Sequence, residues 1–327
     1  MNITPQDLSF VIQGSISDRM HLEYTNKLIK SIDFNLPGSK IIVSTFESSW
    51  IKEVNCKEIV TSQDPGPQVS NPSNKIFNNV NRQIVSTNAG LSKIESKFAV
   101  KIRNDMLFEN DSFLRILSTL PLKKPSQFNI TEEFVIVCNF SSVNPKKFLK
   151  LAHHPCDWIY AGLTKDVKNI WDINLFTDTD ANYFLFNSEV EVSPHRRGDL
   201  NRFRPEAFIW KSFLEKHRSI TFAHSYDLTK DVMTASNQYL ANNLSIYSLS
   251  HLGLISQKHT QTIDSRSKMF SMLDYRILLK KNGIKNSYPI MDLESLIVTA
   301  YRFSTKIRRL SFFKIKRSKS KNIFGLS

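Results

Sequence analysis

Hydrophobic and polar residues follow two distinct patterns over the first third of the chain. Short runs of apolar and β-branched residues at 10–12, 40–46, 54–61 and 98–102 predict buried strands. Apolar residues at helical spacing in 25–32 and 78–91 predict helices between some of these strands. Alternating strands and helices are typical of parallel βαβ units, so residues 1–105 predict an open, doubly wound α/β sheet.

The later part of the chain has weaker strand signals. Residues 131–139 and 220–223 predict strands, residues 207–214 a helix, and residues 153–173 a polar and aromatic loop followed by a helix. Beyond Asp231 the spacing is mostly helical, with residues 249–254 as the exception. We therefore expect an α/β domain over 1–235, a helical C-terminal extension over 236–300 and a basic amphipathic tail over 301–327. A generic α/β domain of any function fits the same alternation.

The composition indicates a folded domain with a strong positive charge. The 327 residues are 41% hydrophobic, which is enough to bury a sizeable core. The formal net charge is +14, and nine Lys or Arg without any Asp or Glu lie between residues 302 and 321. Such a balance suits a polyanionic partner, which could be nucleic acid, an anionic membrane surface or a phosphorylated substrate.

The cysteines and the apolar runs indicate the compartment. Cys56, Cys138 and Cys156 are odd in number and form no CxxC pair, so neither a disulfide framework nor a zinc site is expected. The first ten residues lack the basic-then-apolar layout of a signal peptide, and no apolar run is long enough to span a bilayer. These features favour a cytoplasmic location.

Polar residues follow the predicted strands at the positions where a ligand is expected. In open α/β sheets, ligands bind outside the carboxyl ends of the strands. The residues near those ends that we expect to line a nucleotide site are Gln13, Gly14, Thr45, Asp64, Arg103 and Asp105. Lys101 shares the strand face of Arg103, because alternate residues of a strand point the same way. Arg82, near the start of a predicted helix, is a further candidate phosphate contact, although a solvated surface arginine explains it equally well.

Asp105 is the candidate metal ligand. A carboxylate at the end of a central strand can hold Mg²⁺ or Mn²⁺, which prefer oxygen ligands and bridge carboxylates to phosphates. Arg103 could bind phosphate oxygens in bidentate fashion, or it could simply pair with Asp105. Asp105 could likewise only cap the following turn. If Asp105 is a ligand, Asp105→Ala is expected to abolish turnover and to leave the thermal melt nearly unchanged.

Two acidic residues downstream are candidates for a general base. Asp157 follows two histidines and precedes Trp158, a combination that suits a sugar contact, although an exposed loop is the simpler explanation. Glu206 opens the helix predicted at 207–214, where it could deprotonate an acceptor hydroxyl or only interact with the helix dipole. The sequence contains neither GxGxxG nor GxxxxGK followed by Ser or Thr, so dinucleotide and P-loop sites lose support.

Seven segments, in order along the chain, resemble the WavE family of lipopolysaccharide-synthesis proteins. They are VIQGSI (11–16), IIVSTFES (41–48), SQDPGP (62–67), NRQIVSTNAGL (81–91), KIRNDM (101–106), HPCDWIYAGLTKDVKNIW (154–171) and RPEAFIW (204–210). The resemblance implies a GT-A-like fold and a glycosyltransferase that moves a sugar from a nucleotide-diphospho-sugar to a lipid-linked surface glycan. It also places Arg103 and Asp105 at the DxD element, with Arg where the first Asp would stand. The requirement for Mg²⁺ or Mn²⁺ is therefore open.

Other functions fit the same layout. A sugar-nucleotide nucleotidyltransferase shares the α/β pattern, but it normally has a glycine-rich, basic phosphate loop that Gln13 and Gly14 do not provide. A non-catalytic scaffold of glycan assembly is the second rival.

The tail interleaves basic and aromatic residues, which suits an anionic inner-membrane surface, and a solubilising tail is the alternative. Nucleic acid is disfavoured, since no binding motif for it is present. We expect a peripheral protein on the cytoplasmic face of the inner membrane.

Overall fold

A computed structural model describes residues 3–71, 76–146, 151–190, 200–260, 262–284 and 293–306. The strands are β1 (Leu8–Gln13), β2 (Lys40–Phe46), β3 (Glu58–Ser62), β4 (Gln68–Asn71), β5 (Ile76–Asn78), β6 (Phe98–Arg103), β7 (Met106–Phe108), β8 (Val135–Cys138), β9 (Ile159–Leu163), β10 (Leu244–Tyr247) and β11 (Leu254–Ser256). The helices are α1 (Arg19–Asn35), α2 (Val80–Ser92), α3 (Ser112–Ser118), α4 (Thr164–Trp171), α5 (Asp178–Ala181), α6 (Tyr183–Phe186), α7 (Pro205–Glu215), α8 (Lys230–Asn243), α9 (Ile263–Ser267) and α10 (Met272–Lys281). Residues 293–306 are also helical.

Seven of these strands form one central sheet in the order β10-β8-β9-β6-β1-β2-β3. Parallel pairing joins β1 to β2 and β6, β2 to β3, and β8 to β10. Strand β9 runs antiparallel to both of its neighbours, β6 and β8. The predicted α/β class, with a mixed and mostly parallel sheet, is confirmed. The shared strand direction brings the carboxyl ends of β1, β2, β3 and β6 to one edge of the sheet.

The two faces of the sheet carry different layers. On one face, α2 packs on β1 and β2 at Gly90, where an added Cβ would lie 2.9 Å from Ser44 Cβ. On the other face, the rings of Phe10, Phe108 and Phe113 pack together with centroids 5.7 to 6.3 Å apart. Phe108 belongs to β7, which contacts α1. Because both faces are covered, the central strands are apolar on both sides and appear in the sequence as continuous hydrophobic runs.

Most predicted elements are confirmed near their predicted positions. The predicted strands at 10–12, 40–46 and 98–102 match β1, β2 and β6, and the predicted helices match α1, α2 and α7. The third strand begins at Glu58, later than predicted, because residues 54–57, which follow a 3-10 helix at 49–53, are irregular. The strand predicted at 220–223 is wrong, since these residues are irregular. Strand β9 lies inside the region predicted as a loop and helix, and β10 lies in the region predicted as helical.

The C-terminal region packs helices against the edge strand β10. Helices α8 and α10 both contact β10 and each other. The helical residues 293–306 are attached through Arg302, which donates to the carbonyls of Ser267 and Met269 and pairs with Asp274 at 2.6 Å. The first basic residue of the predicted tail is thus part of the fold. Residues 307–327 lie outside the described residues, and the division of the chain into three parts stays a prediction. Within the described ranges, no helix has the length and apolarity needed to cross a bilayer.

Two of the three cysteines meet inside the fold although they are far apart in sequence. The Sγ atoms of Cys138 and Cys156 are 3.2 Å apart, and both thiols are buried and free. Burial raises the pKa of the Cys156 thiol well above its ordinary value. Cys156 therefore stays a neutral thiol and packs as a small apolar group.

Candidate functional site

A cleft of about 290 Å³ opens at the carboxyl edge of β1 and β6. Its lining side chains and backbone belong to Gln13, Gly14, Ser15, His21, Phe46, Asn79, Arg82, Gln83, Arg103, Asn104, Asp105 and Lys258. The structure thereby brings together five residues predicted from sequence, which are Gln13, Gly14, Arg82, Arg103 and Asp105. Gln13 pairs with Arg103 across β1 and β6, which places both at the same level of the sheet. Two larger hollows, of about 350 and 610 Å³, lie beside Lys123 and beside Asp172, away from these strand ends.

Arg103 and Asp105 form a bidentate ion pair in the cleft. Arg103 Nε donates to Asp105 Oδ1 at 3.0 Å, and Nη2 donates to Oδ2 at 2.6 Å. The guanidinium also lies 5.1 Å from the centre of the Trp158 ring. Burial disfavours the charge of Arg103, but the carboxylates of Asp157 and Asp105 outweigh burial and raise the pKa of the guanidinium. The pairing that the sequence offered as an alternative to phosphate binding is present, so a bound phosphate would share Arg103 with Asp105.

The floor of the cleft includes Gly14 and Asn104, which pack closely against each other. A Cβ at this position would lie 2.5 Å from Asn104 Cγ, so a side chain would displace Asn104. The Asn104 amide donates to the Ser15 carbonyl at 3.2 Å and to the Thr25 hydroxyl at 3.3 Å. Its backbone N–H donates to the Gln13 carbonyl at 3.0 Å. These bonds tie the loop after β1 to the loop after β6.

Arg82 forms another wall and is oriented by Asp64. Its Nε and Nη2 donate to the Asp64 carboxylate at 2.8 and 2.6 Å, and Nη1 donates to Asn79 Oδ1 at 3.1 Å. The hydrogen bonds from Arg82 lower the pKa of Asp64, which also accepts from the Gly66 N–H at 2.9 Å. Asp64 therefore holds Arg82 in place, and it is Arg82 that lines the cleft.

Lys258 and His259 reach the cleft from the far end of the sequence. Strand β11 pairs antiparallel with β7, and the following Gln257 N–H donates to the Asp105 carbonyl at 2.8 Å. Lys258 then lines the cleft, and His259 Nε2 lies 4.0 Å from Asp105 Oδ2. Burial and the charge of Arg103 lower the pKa of His259. No local pattern marks these residues, because only the long-range pairing of β11 with β7 brings them here.

Two residues predicted to bind the nucleotide lie beneath the cleft. Thr45 is fully buried in β2, and its hydroxyl has no hydrogen-bond partner among the described residues. Lys101 is also fully buried, with its Nζ donating to the Asp157 carbonyl and lying 4.6 Å from the Trp171 ring. Burial lowers the pKa of Lys101 to about 8. Lys101 therefore supports the backbone at Asp157 from within the protein.

A second cluster of titratable groups begins next to Arg103 on the same edge. Because β9 is antiparallel, its first residues lie at the carboxyl end of β6, where the Arg103 N–H donates to the Trp158 carbonyl at 3.0 Å. Asp157 is buried, and its Oδ1 has no hydrogen-bond partner within the described ranges. Burial and then the carboxylate of Glu206 raise the pKa of Asp157, against the opposing charges of Lys101 and Arg103.

Glu206, at the start of α7, is held by two side chains from other segments. Ser141 Oγ donates to Glu206 Oε1 at 2.8 Å, and His154 Nε2 lies 3.4 Å from Oε2. The Glu206 side chain is 16% exposed. Burial raises its pKa, but His154, the backbone N–H and the Ser141 hydroxyl outweigh burial and lower the pKa overall. Ser141 has a φ of 68°, an uncommon conformation for serine, and no sequence pattern marks this residue as functional.

The two candidate bases therefore differ in their preferred protonation. Asp157 is a buried acid whose pKa is raised, and Glu206 is a more accessible carboxylate whose pKa is lowered. In such a pair, the carboxyl group with the lowered pKa is the one available to accept a proton. Arg103 interacts with Asp105 and with Asp157, so it links the cleft to this second cluster.

The side chains of the cleft fit a divalent ion poorly. Asp105 is the one acid among the described residues that line it, whereas Arg82, Arg103 and Lys258 are basic. Both Asp105 oxygens already accept hydrogen bonds from Arg103. Nowhere in the described part of the chain do three or more His, Cys, Asp or Glu side chains gather as a metal site. A lining of this charge suits phosphate oxygens better than a cation.

Comparisons with known proteins identify a family for nearly the whole chain. The family model described as WavE lipopolysaccharide synthesis matches residues 8–315. No curated protein matches the chain. Among solved structures, the chain is similar to the bifunctional IspDF from Campylobacter jejuni, with 14% identity and a TM-score of 0.30. That match covers 53% of this chain and 45% of the IspDF chain, so it spans less than half of that protein.

Proposed function

The chain belongs to the WavE lipopolysaccharide-synthesis family, and from that membership we propose that it is a glycosyltransferase of lipopolysaccharide synthesis. In this proposal a sugar moves from a nucleotide-diphospho-sugar donor to a lipid-linked surface glycan, which is the lipopolysaccharide core, O-antigen or capsule. The donor binds in the cleft at the carboxyl edge of β1 and β6, in a GT-A-like arrangement. The acceptor binds beside Glu206 on the same edge.

The observation that carries the proposal is the charge of the cleft. Arg82, Arg103 and Lys258 converge on a space bounded by the end of β1 at Gln13 and Gly14. Guanidinium groups bind phosphate oxygens in bidentate fashion. Fixed positive charge at this point would also stabilise the negative charge that develops on the departing nucleoside diphosphate. The position agrees with the general placement of ligands in open α/β sheets.

Glu206 is the base in this proposal. Its carboxylate accepts the proton of an acceptor hydroxyl, whose oxygen then attacks the anomeric carbon of the donor sugar as the bond to the diphosphate breaks. Ser141 and His154 hold the carboxylate in place, and its lowered pKa keeps it ionised. Asp157 suits the role less well, because it is buried and its pKa is raised.

A Mg²⁺ or Mn²⁺ ion at Asp105 stays a prediction, and no step above depends on it. The ion would supply charge neutralisation at the diphosphate. Calorimetric titration with a nucleoside diphosphate, carried out with Mg²⁺, with Mn²⁺ and with a chelator, tests the requirement. If the basic side chains are sufficient, the affinity should be the same in all three conditions.

A donor screen tests the proposal directly. The purified full chain is titrated with a panel of nucleotide sugars by calorimetry, and one of them should bind. Arg103→Met should weaken that binding by about tenfold or more, because a charged hydrogen-bond donor to phosphate is lost. Arg115→Met is the matched control, since Arg115 is an exposed residue of α3 that pairs only loosely with Asp111, at 3.5 Å. The control should bind the donor as the unchanged protein does.

The product released during turnover separates the rival functions. Incubation with the bound donor and a lipid-linked acceptor should release a nucleoside diphosphate. Release of pyrophosphate from a sugar phosphate and a nucleoside triphosphate would instead establish a nucleotidyltransferase. If no nucleotide sugar binds under any condition, the scaffold function would replace both enzymes.

A further inference from the structure

The helix at residues 293–306 has an apolar face that points away from the protein. Leu293 is 73% exposed and Phe303 is 67% exposed, and between them Leu296, Ile297 and Ala300 are also exposed. These five residues follow the spacing i, i+3, i+4, i+7 and i+10, so they lie on one side of the helix. We call this side, Leu293, Leu296, Ile297, Ala300 and Phe303, the outer apolar face.

The opposite side of the same helix fixes it to the fold. Ser295 and Val298 are buried there, and the Ser295 hydroxyl accepts from the Leu273 N–H at 3.3 Å. Arg302 pairs with Asp274 and donates to two backbone carbonyls. The outer apolar face is therefore held at a constant orientation on the protein surface.

We propose that the outer apolar face inserts into the interface of an anionic membrane. An amphipathic helix lies in a membrane interface when its apolar side enters the acyl boundary and neighbouring cations meet the headgroups. Lys306 is exposed at the end of the described helix, and residues 307–327 add seven Lys or Arg and no acid. The apolar face and the cations are thus consecutive in the chain, and anionic lipid is the partner that complements both.

A second copy of the chain is the competing occupant of this face. Two copies meeting through it would bring two strongly basic segments together without any acidic residue in either to neutralise them. Like charges on both sides of a contact disfavour it. The charge therefore favours lipid over self-association.

Vesicle sedimentation with the full chain tests this proposal. The unchanged protein should bind vesicles that contain phosphatidylglycerol, should bind vesicles of pure phosphatidylcholine much more weakly, and should dissociate as salt rises. Ile297→Glu combined with Phe303→Glu should lower binding to the anionic vesicles by about tenfold or more, because two inserted apolar groups become anionic. Both positions are exposed, so the fold should be retained, which circular dichroism verifies.

Phe34→Glu is the matched control, because Phe34 is an apolar residue of α1 that is 83% exposed on another surface. It should leave vesicle binding unchanged. Equal binding by the double variant and the unchanged protein would overturn the proposal, and so would a dimer seen by light scattering that the double variant abolishes without altering vesicle binding. The assay contains no nucleotide sugar, so its outcome is independent of the proposed transferase activity.

Discussion

Breaking the ion pair between Arg103 and Asp105 should weaken the fold as well as the proposed donor site. The Asp105 side chain is 5% exposed and that of Arg103 is 23% exposed, so the pair is largely withdrawn from water. Removing one partner of a buried pair costs about 3–5 kcal/mol, because the remaining charge is left uncompensated. Arg103 would keep the neighbouring carboxylate of Asp157 and the ring of Trp158. We therefore expect Asp105→Ala to lower the free energy of unfolding by about 2 kcal/mol.

Urea unfolding of a double-mutant cycle measures this quantity. The cycle comprises the unchanged protein, Asp105→Ala, Arg103→Met and the double variant, and the expected coupling between the two residues is about 1–2 kcal/mol. Asp111→Ala is the control, because Asp111 forms an exposed pair with Arg115 that should contribute less than about 1 kcal/mol.

A loss for Asp105→Ala no larger than that for Asp111→Ala would refute the reasoning. The result would mean that the hydrogen bonds at 3.0 and 2.6 Å contribute nothing to the fold. It would also restore the expectation drawn from the sequence, in which Asp105 serves a ligand and its loss leaves the thermal melt unchanged. The hydrogen bonds from Arg103 to both carboxylate oxygens of Asp105 favour the larger loss of stability.

Four further predictions concern other groups. Burial lowers the pKa of His153 to about 4, so the unfolded chain binds a proton at this histidine more readily than the folded protein does. The contribution of neutral His153 to the free energy of unfolding is therefore complete above about pH 6.5, and it is lost as the pH falls toward 4. Urea unfolding should show about 2 kcal/mol less stability from this group at pH 5 than at pH 8, and His153→Asn should remove that difference. Gly90→Ala should cost about 1–3 kcal/mol in the same assay, because the new Cβ would lie 2.9 Å from Ser44 Cβ, and an unchanged urea midpoint would contradict this. Glu206→Gln should lower kcat by about 10²-fold or more with donor affinity unchanged. Ser141→Ala should move the acidic limb of the pH–rate profile to higher pH, because the Ser141 hydroxyl lowers the pKa of Glu206.

The residues that follow β1 and β6 could be predicted because their strands are unmistakable in the sequence. Gln13, Gly14, Arg103 and Asp105 stand at or just after continuous apolar runs, and parallel strands end at one edge. The orientation of the Thr45 side chain could not be predicted in the same way. It belongs to a correctly predicted strand, but adjacent residues of a strand face opposite ways, and its neighbour Phe46 is the one that lines the cleft. Which of the two faces the ligand depends on the register with neighbouring strands, and that register is a tertiary property.

The second half of the sheet could not be predicted from local pattern. Strand β10 follows directly on α8, with Asn243 in the helix and Leu244 in the strand, so no turn residue separates the two patterns. Strand β9 is short, contains a glycine and follows a polar segment, which made a loop the better prediction. The Ser141, Lys258 and His259 side chains depend on contacts between distant segments. The positions of these side chains near the cleft can be predicted only when the pairing of β8, β9 and β11 with other strands is known.

Strand β9 is antiparallel to β6 and β8, so two kinds of segment form the sheet edge at the cleft. Arg103 is the last residue of β6, whereas Asp157 lies two residues before the first residue of β9. Residues 151–158 ahead of β9 are all buried, and the Val143 N–H donates to the His154 carbonyl at 2.9 Å, so the segment that enters β9 is packed into the protein. The edge is therefore divided into a half fixed by strand ends and a half fixed by the packing of the segment that enters β9. A change in the segment that enters β9 would therefore also disturb Glu206, because His154 Nε2 lies 3.4 Å from Glu206 Oε2.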